Sequence, residues 1–432
     1  MRLKFSIIFL KTLIILSALI QAQVLAAVTS VPSQPVGLKL TLGAGGAGGS
    51  GNIIWKRHSI GIPDRATISV SDLNGDGMTD VVVSQGRRNN PKPSDGVYWF
   101  EAPDWNYQRL SDPSKPIRWS LSQTVGDIDN DGDVDVIALS FDYSNVYLSI
   151  NPGPALVNEP WPTIIIKSAT KSHRDGERVE LVDIDNDGYL DVLFPRGSPK
   201  EVRVLFNPSG VVTDVWKDKY IGAHDGSDAH DVLGVDIDKD GDLDVVVASG
   251  DGTPGTGSVY WYEHPDGNPR DGSWLRHKVS SNSTNYGGLQ IYDVDKDGRQ
   301  DILVTESHGS PGDIMWYKNP SDSTLNWTKF IIGKQYAPHA GLIVDVDNDG
   351  DKEYWVPDTG CCGGTPKGGI VLFEIGGDPK KPWNKNVVAA SPQLCRQSRA
   401  ADMDNDGDLD VVCGVPNTSG PQEVLWWENN MF

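Results

Sequence analysis

Cysteine is scarce in this chain: four in 432 residues, none before Cys361. That spacing offers no paired-cysteine zinc site and no dense disulfide scaffold. Long apolar runs are also missing. The one uninterrupted run, "LIILSALI" at 13–20, is well short of the ~20 residues a span requires, so the mature chain is expected to have no membrane span. Cations are outnumbered, 38 Lys and Arg against 59 Asp and Glu, for a formal charge of −21. Nucleic acid is excluded as a partner, because phosphate contacts need a basic face. No nucleophile motif, phosphate loop or helical period stands out.

The apolar run follows Met1-Arg2-Leu3-Lys4 and precedes the small residues of "AQVLAA". A cationic start, a short apolar core and small residues read as a secretory signal peptide over 1–26, cut after Ala26. The protein is therefore expected to be secreted, or periplasmic or on the cell surface if bacterial. Residues 27–51 are rich in Gly, Ser and Pro and read as a flexible lead-in.

What is abundant is a nonapeptide. "DIDNDGDVD" at 127–135 crowds five carboxylates around one glycine, and related copies begin at Asp72, Asp183, Asp236, Asp293, Asp345 and Asp402. Successive starts lie 52 to 57 residues apart, so 52–432 is one repeat architecture rather than several domains. These copies hold 31 of the 59 acidic residues, so the acidity belongs mainly to the loops.

Oxygen ligands at positions 1, 3, 5 and 9, with a backbone carbonyl near position 7, suit a hard cation such as calcium. Glycine at position 6 permits the sharp reversal that turns the side chains inward. The expected ligands are Asp72, Asn74, Asp76 and Asp80; Asp127, Asp129, Asp131 and Asp135; Asp183, Asp185, Asp187 and Asp191; and Asp236, Asp238, Asp240 and Asp244. The remaining three sets are Asp293, Asp295, Asp297 and Asp301; Asp345, Asp347, Asp349 and Glu353; and Asp402, Asp404, Asp406 and Asp410. Up to seven structural calcium ions follow. Loop 6, which ends in the longer Glu353, is expected to bind most weakly. An EF-hand is excluded, because position 12 is Val83, Ala138, Phe194, Val247, Val304, Val356 or Cys413, never a ligand.

After each loop comes a β-branched run such as "DVVVS", then an aromatic segment such as "GVYWFEAP", then a Trp segment such as "WKDKYI". With a short strand before the loop, the unit is four antiparallel strands, one propeller blade. An extra Trp strand around Trp55 opens the chain, and the seventh unit stops after its aromatic strand. The expected fold is all-β, a seven-bladed β-propeller closed by an N-terminal strand that completes the last blade. Its Trp and Tyr residues are expected mostly in the core.

The loops and their spacing resemble FG-GAP (also called VCBS) repeats, the calcium-bearing blades of the integrin α-subunit head and of many secreted microbial proteins. The resemblance covers about 52–432. It implies that calcium is structural and lies on the face opposite the ligand site.

That other face carries the connections from second to third strands and from blade to blade. They hold His173, His224, His230, His308 and His339, with Arg65, Arg118, Arg174, Arg178, Arg396 and Arg399 near the inner strands and Tyr286 in a comparable place. "HDGSDAH" could set His224 and His230 near one metal with Asp225 or Asp231, although loop histidines more often serve as hydrogen-bonding groups. Candidate catalytic residues are His230, His339, Tyr286, Arg174, Arg178, Arg396, Arg399 and Arg65. Two functions fit. One is a binding module that grips a glycan or an extracellular protein. The other is a carbohydrate-active enzyme, a polysaccharide lyase or sugar dehydratase, in which Arg neutralises a uronate and His or Tyr moves the proton. Resembling secreted propellers include such enzymes. A purely adhesive repeat protein is a third possibility.

In an exported chain, an even cysteine count suggests disulfides. A bond between the neighbours Cys361 and Cys362 would be strained, so they are expected to reach Cys395 and Cys413, stapling blade six to blade seven. The sequons at Asn282, Asn326 and Asn417 matter only where the host glycosylates.

Overall fold

The structure is a computed structural model. It describes residues 36–37, 53–63, 67–85, 92, 94–117, 120–140, 145–168, 178–197, 199–212, 216–225, 228–250, 253, 255–283, 285–307, 311–338, 341–358, 369–390, 395–415 and 423–430. Blade 1 has strands Thr67–Ser71, Asp80–Gln85, Gly96–Glu101 and Asn106–Arg109, paired antiparallel in that order. Blades 2 to 6 repeat the pattern, with first strands Ser120–Gly126, Glu180–Val182, Asp228–Val235, Tyr286–Tyr292 and Leu342–Val344. In blade 7 the strands Gln397–Ala401, Asp410–Val415 and Glu423–Asn430 are completed by Ile54–Gly61, as the count of Trp strands requires. The two residues Val36–Gly37 add a fifth, outermost strand to that sheet.

The first strands pack against one another around a central channel, and the last of them, Gln397–Ala401, meets the first, Thr67–Ser71. The ring is closed. Side chains of the inner strands sew neighbouring blades together: Ser122 Oγ accepts the Val179 N–H at 2.6 Å, Gln290 Oε1 that of Ile343 at 3.2 Å, and Gln397 Oε1 that of Ile68 at 3.0 Å. These bonds satisfy inner-strand amides for which no fifth strand is available.

The core lies between blades rather than in one central mass. Among the described residues there are seven clusters of buried apolar side chains, one at each blade-to-blade interface. Trp55, Trp99, Trp161, Trp261, Trp316, Trp355 and Trp426 are all under 2 % or close to it in exposure, as expected of core residues. Close blade contact also explains Gly61, Gly222 and Gly333. A Cβ there would collide with the ring of Phe100, Tyr262 or Phe373 from the following blade.

One expectation is corrected. The disulfide joins Cys395 to Cys413, with Cα atoms 5.2 Å apart. Cys413 pairs in register with Ser398, three residues after Cys395, so the two cysteines are brought together within blade 7. The bond links the residues leading into its first strand to its second strand instead of stapling blade six to blade seven. Cys361 and Cys362 lie outside the described residues.

Candidate metal loops and the channel

In every blade eight residues separate the first strand from the second, and that connection is the acidic loop. Its geometry follows from backbone constraints. Position 4 has positive φ in all seven copies, filled by Gly75, by four Asn and by Lys239 and Lys296. Glycine at position 6 is also positive, from 85° to 101°. The reversal turns loop amides onto the carboxylates. In loop 2, Asp127 accepts the N–H groups of Asp131 and Gly132 at 3.1 and 3.0 Å, while Asp131 accepts that of Asp133 at 3.0 Å. Position 9 is anchored deepest. One of its oxygens accepts the position-2 amide at 2.8–3.3 Å in all seven loops, Glu353 included. The other accepts an amide at or just past the end of the third strand at 2.7–2.9 Å in six blades, from Ala102, Asn151, Asn207, His264, Asn319 and Asn429.

These bonds leave acceptor oxygens pointing inward. Carboxylate oxygens of Asp127, Asp129 and Asp135 lie within 4.8 Å of one another, as do those of the matching sets Asp183/Asp185/Asp191, Asp236/Asp238/Asp244 and Asp345/Asp347/Glu353, and in loop 5 those of positions 1, 3 and 5, Asp293/Asp295/Asp297. Several buried carboxylate clusters could thus hold a metal ion. A sharper observation is at position 3. Oδ1 of Asp129, Asp185, Asp295, Asp347 and Asp404 is buried with no hydrogen-bond partner. Five equivalent orphaned oxygens fit a hard divalent cation, since leaving a buried charged acceptor unsatisfied is costly.

Burial pushes the position-9 carboxyls far above the ordinary range. Asp80 and Asp191 are pushed up to about 8, Asp135, Asp244 and Asp301 to about 7, Glu353 to about 8 and Asp410 to about 9. Amide hydrogen bonds oppose the rise, and the other loop carboxylates add to it. With no metal bound, the folded chain therefore holds more protons than the unfolded one from about pH 4 up to these values. Stability then falls as pH rises through that window. Protein dialysed free of divalent ions is expected to melt higher at pH 5 than at pH 8, and calcium should flatten or invert the trend. A metal-free midpoint that climbs with pH contradicts this account of the loops.

Five overlapping stretches, 72–138, 127–194, 183–247, 236–304 and 293–356, match the model of the FG-GAP-like repeat. The chain belongs to the FG-GAP-like repeat family. No curated protein matches it. Among solved structures, the V. cholerae biofilm matrix protein Bap1 is similar at 12 % identity and TM-score 0.43, over 85 % of this chain and 88 % of that one. The Dos1 propeller is similar at 11 % identity and TM-score 0.48, over 87 % and 95 %.

The other face of this FG-GAP-like propeller gathers only some of the candidate residues. Arg178 and Arg399 meet in the channel with Glu180 and Asp231. Arg178 lies 3.6 Å from Glu180 and 3.9 Å from Asp231, and donates to the Leu289 carbonyl at 3.3 Å. Enclosure and the neighbouring Arg178 push the Arg399 guanidinium down to about 10, and burial pushes Glu180 up against the pull of both arginines. The structure places Tyr286 in the core, 2 % exposed, with its hydroxyl 2.8 Å from that of Tyr317 and 3.0 Å from Ser280 Oγ. His230 is buried, with Nε2 2.7 Å from Asn285 Nδ2, and His224 Nε2 lies 2.8 Å from the Arg196 carbonyl. Arg396 immediately precedes the inner strand of blade 7, its N–H bonded to the Gly414 carbonyl at 2.8 Å. Arg65, Arg118, His173, Arg174, His308 and His339 lie outside the described residues.

One set of structural residues escaped the sequence reading. Asn151, Asn207, Asn319 and Asn429 each donate from Nδ2 to the position-2 carbonyl of the preceding blade's loop, at 2.9, 2.8, 2.8 and 2.6 Å. The signal was present as the Asn in "INP", "FNP", "KNP" and "ENN". It ties acidic loops 1, 2, 4 and 6 to the next blade.

Proposed function

We propose that the protein is an exported, calcium-stabilised binding module that grips a glycan or an extracellular protein through the face opposite the acidic loops. The observation that carries this reading is the contrast between the two faces. The acidic connections have one length, and in all seven the position-2 amide bonds the position-9 carboxylate and the position-6 amide the position-1 carboxylate. The connections between second and third strands run from four residues at 197–200 to twelve at 358–369. Uniform loops suit a structural role, whereas loops that vary on a rigid scaffold suit recognition. The described acid–base candidates favour binding over elimination. Tyr286 and His230 are hydrogen-bonded in the interior, and the channel arginines face carboxylates. The disulfide accords with export. Among the described residues no helix is long and apolar enough to cross a membrane.

The test is retention of the mature protein on immobilised acidic and neutral polysaccharides and on extracellular-matrix protein. Binding without chemical change supports the module. Release of unsaturated uronates, seen as growing near-ultraviolet absorbance, would replace it with the lyase reading. Arg178→Ala and Arg399→Ala then report whether the channel is the site. Loss of retention at an unchanged melting midpoint places the ligand there.

A further inference from the structure

The seven loops share one backbone, yet the end of each third strand gives them different electrostatic surroundings. The residue just before the amide that binds position 9 is Glu101, Ile150, Phe206, Glu263, Lys318 or Glu428 in blades 1–5 and 7, and Glu374 takes the equivalent place in blade 6. That amide bond holds this residue beside the loop. In blade 1, Glu101 Oε1 accepts from Nδ2 of Asn74 at position 3, at 3.4 Å. Glu263 and Glu428 add negative charge beside the position-3 residues Asp238 and Asp404. Glu374 lies near Asp347 and Asp349.

Blade 5 inverts the sign. Lys318 Nζ lies 2.5 Å from Oδ2 of both Asp295 and Asp297, positions 3 and 5 of its loop. Blade 3 reaches the same result by another route. Its residue is Phe206, and the guanidinium of Arg270, from the last connection of blade 4, lies 4.8 Å from that ring. Arg270 Nε donates to Asp185 Oδ2 and Nη2 to Asp187 Oδ2, the latter at 2.8 Å, again positions 3 and 5. Both cations take the outer oxygens. The inner Oδ1 atoms of Asp185 and Asp295 remain buried and unpartnered.

We propose that Arg270 and Lys318 are built-in counter-ions that divide the loops into two classes. Loops 3 and 5 keep the shape of a metal site, but with one positive charge added outside it. They bind calcium more weakly and hold their fold more readily without it. Loops 4 and 6 carry an extra glutamate and bind most tightly, which makes loop 6 a strong site despite Glu353; in loop 7 Lys56, 2.6 Å from Glu428, offsets the added charge. The inference rests on the calcium reading of the loops and goes beyond it.

Equilibrium dialysis of the full mature chain with radioactive calcium tests it, beside the single variants Lys318→Glu and Arg270→Gln. Wild type should fill in classes, with two sites weaker by about tenfold or more, the scale Coulomb's law gives for a unit charge roughly 5 Å from a divalent ion in water. Each variant should move one site out of the weak class. Each should also melt lower than wild type without calcium and at least as high with it, a crossover that mere loss of packing does not produce. Seven equivalent sites, or variants that leave the classes unchanged, overturn the division while leaving calcium binding intact. A wild-type chain that binds no calcium overturns both.

Discussion

Removing calcium from the protein is expected to lower its melting midpoint by roughly 10–20 °C. An ion that binds only the folded state contributes ~2.7 kcal/mol when its free concentration is about 100 times its Kd. Dissociation constants of about 0.1–1 mM are typical of extracellular calcium modules, so several such sites together contribute on the order of 10 kcal/mol at about 10 mM calcium. An unfolding entropy of ~2 cal/mol/K per residue converts that sum into the stated shift for a chain of this length. The cause is specific to these loops. Each crowds several carboxylates together, and five carry a buried position-3 oxygen with no partner, so the empty loop bears both repulsion and an unmet acceptor. Magnesium should restore little, because it demands near-ideal octahedral geometry and dehydrates reluctantly. Thermal scans with calcium, with chelator, and with chelator followed by calcium or magnesium provide the check. A midpoint that chelation leaves unchanged, in protein shown by metal analysis to be ion-free, contradicts the calcium assignment.

Much of this fold was legible because the repeat speaks seven times. One "DIDNDGDVD" is an ambiguous acidic turn, but seven at a 52–57-residue period leave few architectures. The clasp was legible by counting, since Trp55 supplies the strand the seventh unit lacks. The charge classes of the loops were not, because Arg270 reaches Asp185 from 85 residues away through a connection whose path sequence does not specify. Tyr286 and His230 were assigned to the channel mouth by position along the strand. Their side chains turn inward to Tyr317 and Asn285, a distinction of face that one residue of register decides. The disulfide was misjudged for a similar reason. The facing of Ser398 and Cys413 across two strands depends on register, and only that register sets Cys395 beside Cys413.

Deleting residues 1–61 is expected to abolish the monomeric fold, and a peptide spanning 52–63 is expected to restore it. Ile54–Gly61 is hydrogen-bonded along its length to Glu423–Asn430, from Ile54 opposite Asn430 to Gly61 opposite Val424. Trp55 is 1 % exposed, lies 5.2 Å from Trp355, and belongs to the core between blades 6 and 7 with Leu425 and Trp427. Lys56 Nζ bonds Glu428 at 2.6 Å, and His58 stacks on Trp426 at 4.2 Å while bonding the same carboxylate. Without this strand, blade 7 presents an open edge next to two tryptophans that are otherwise buried, and such an edge pairs with other chains. The truncated protein should therefore run as oligomers or aggregate in size-exclusion chromatography. The added peptide should return it to a monomer by supplying the strand in trans. Trp55→Ala is the milder version, expected to cost about 3–5 kcal/mol through lost burial and the cavity left behind. Because the strand pairs residues some 370 positions apart, closing the ring carries the largest loop-closure cost in the chain. The clasp should accordingly form late, so Trp55→Ala should raise the unfolding rate far more than it lowers the folding rate. A truncated chain that stays monomeric and melts with the intact one would mean that six complete blades and a three-stranded seventh hold the ring unaided.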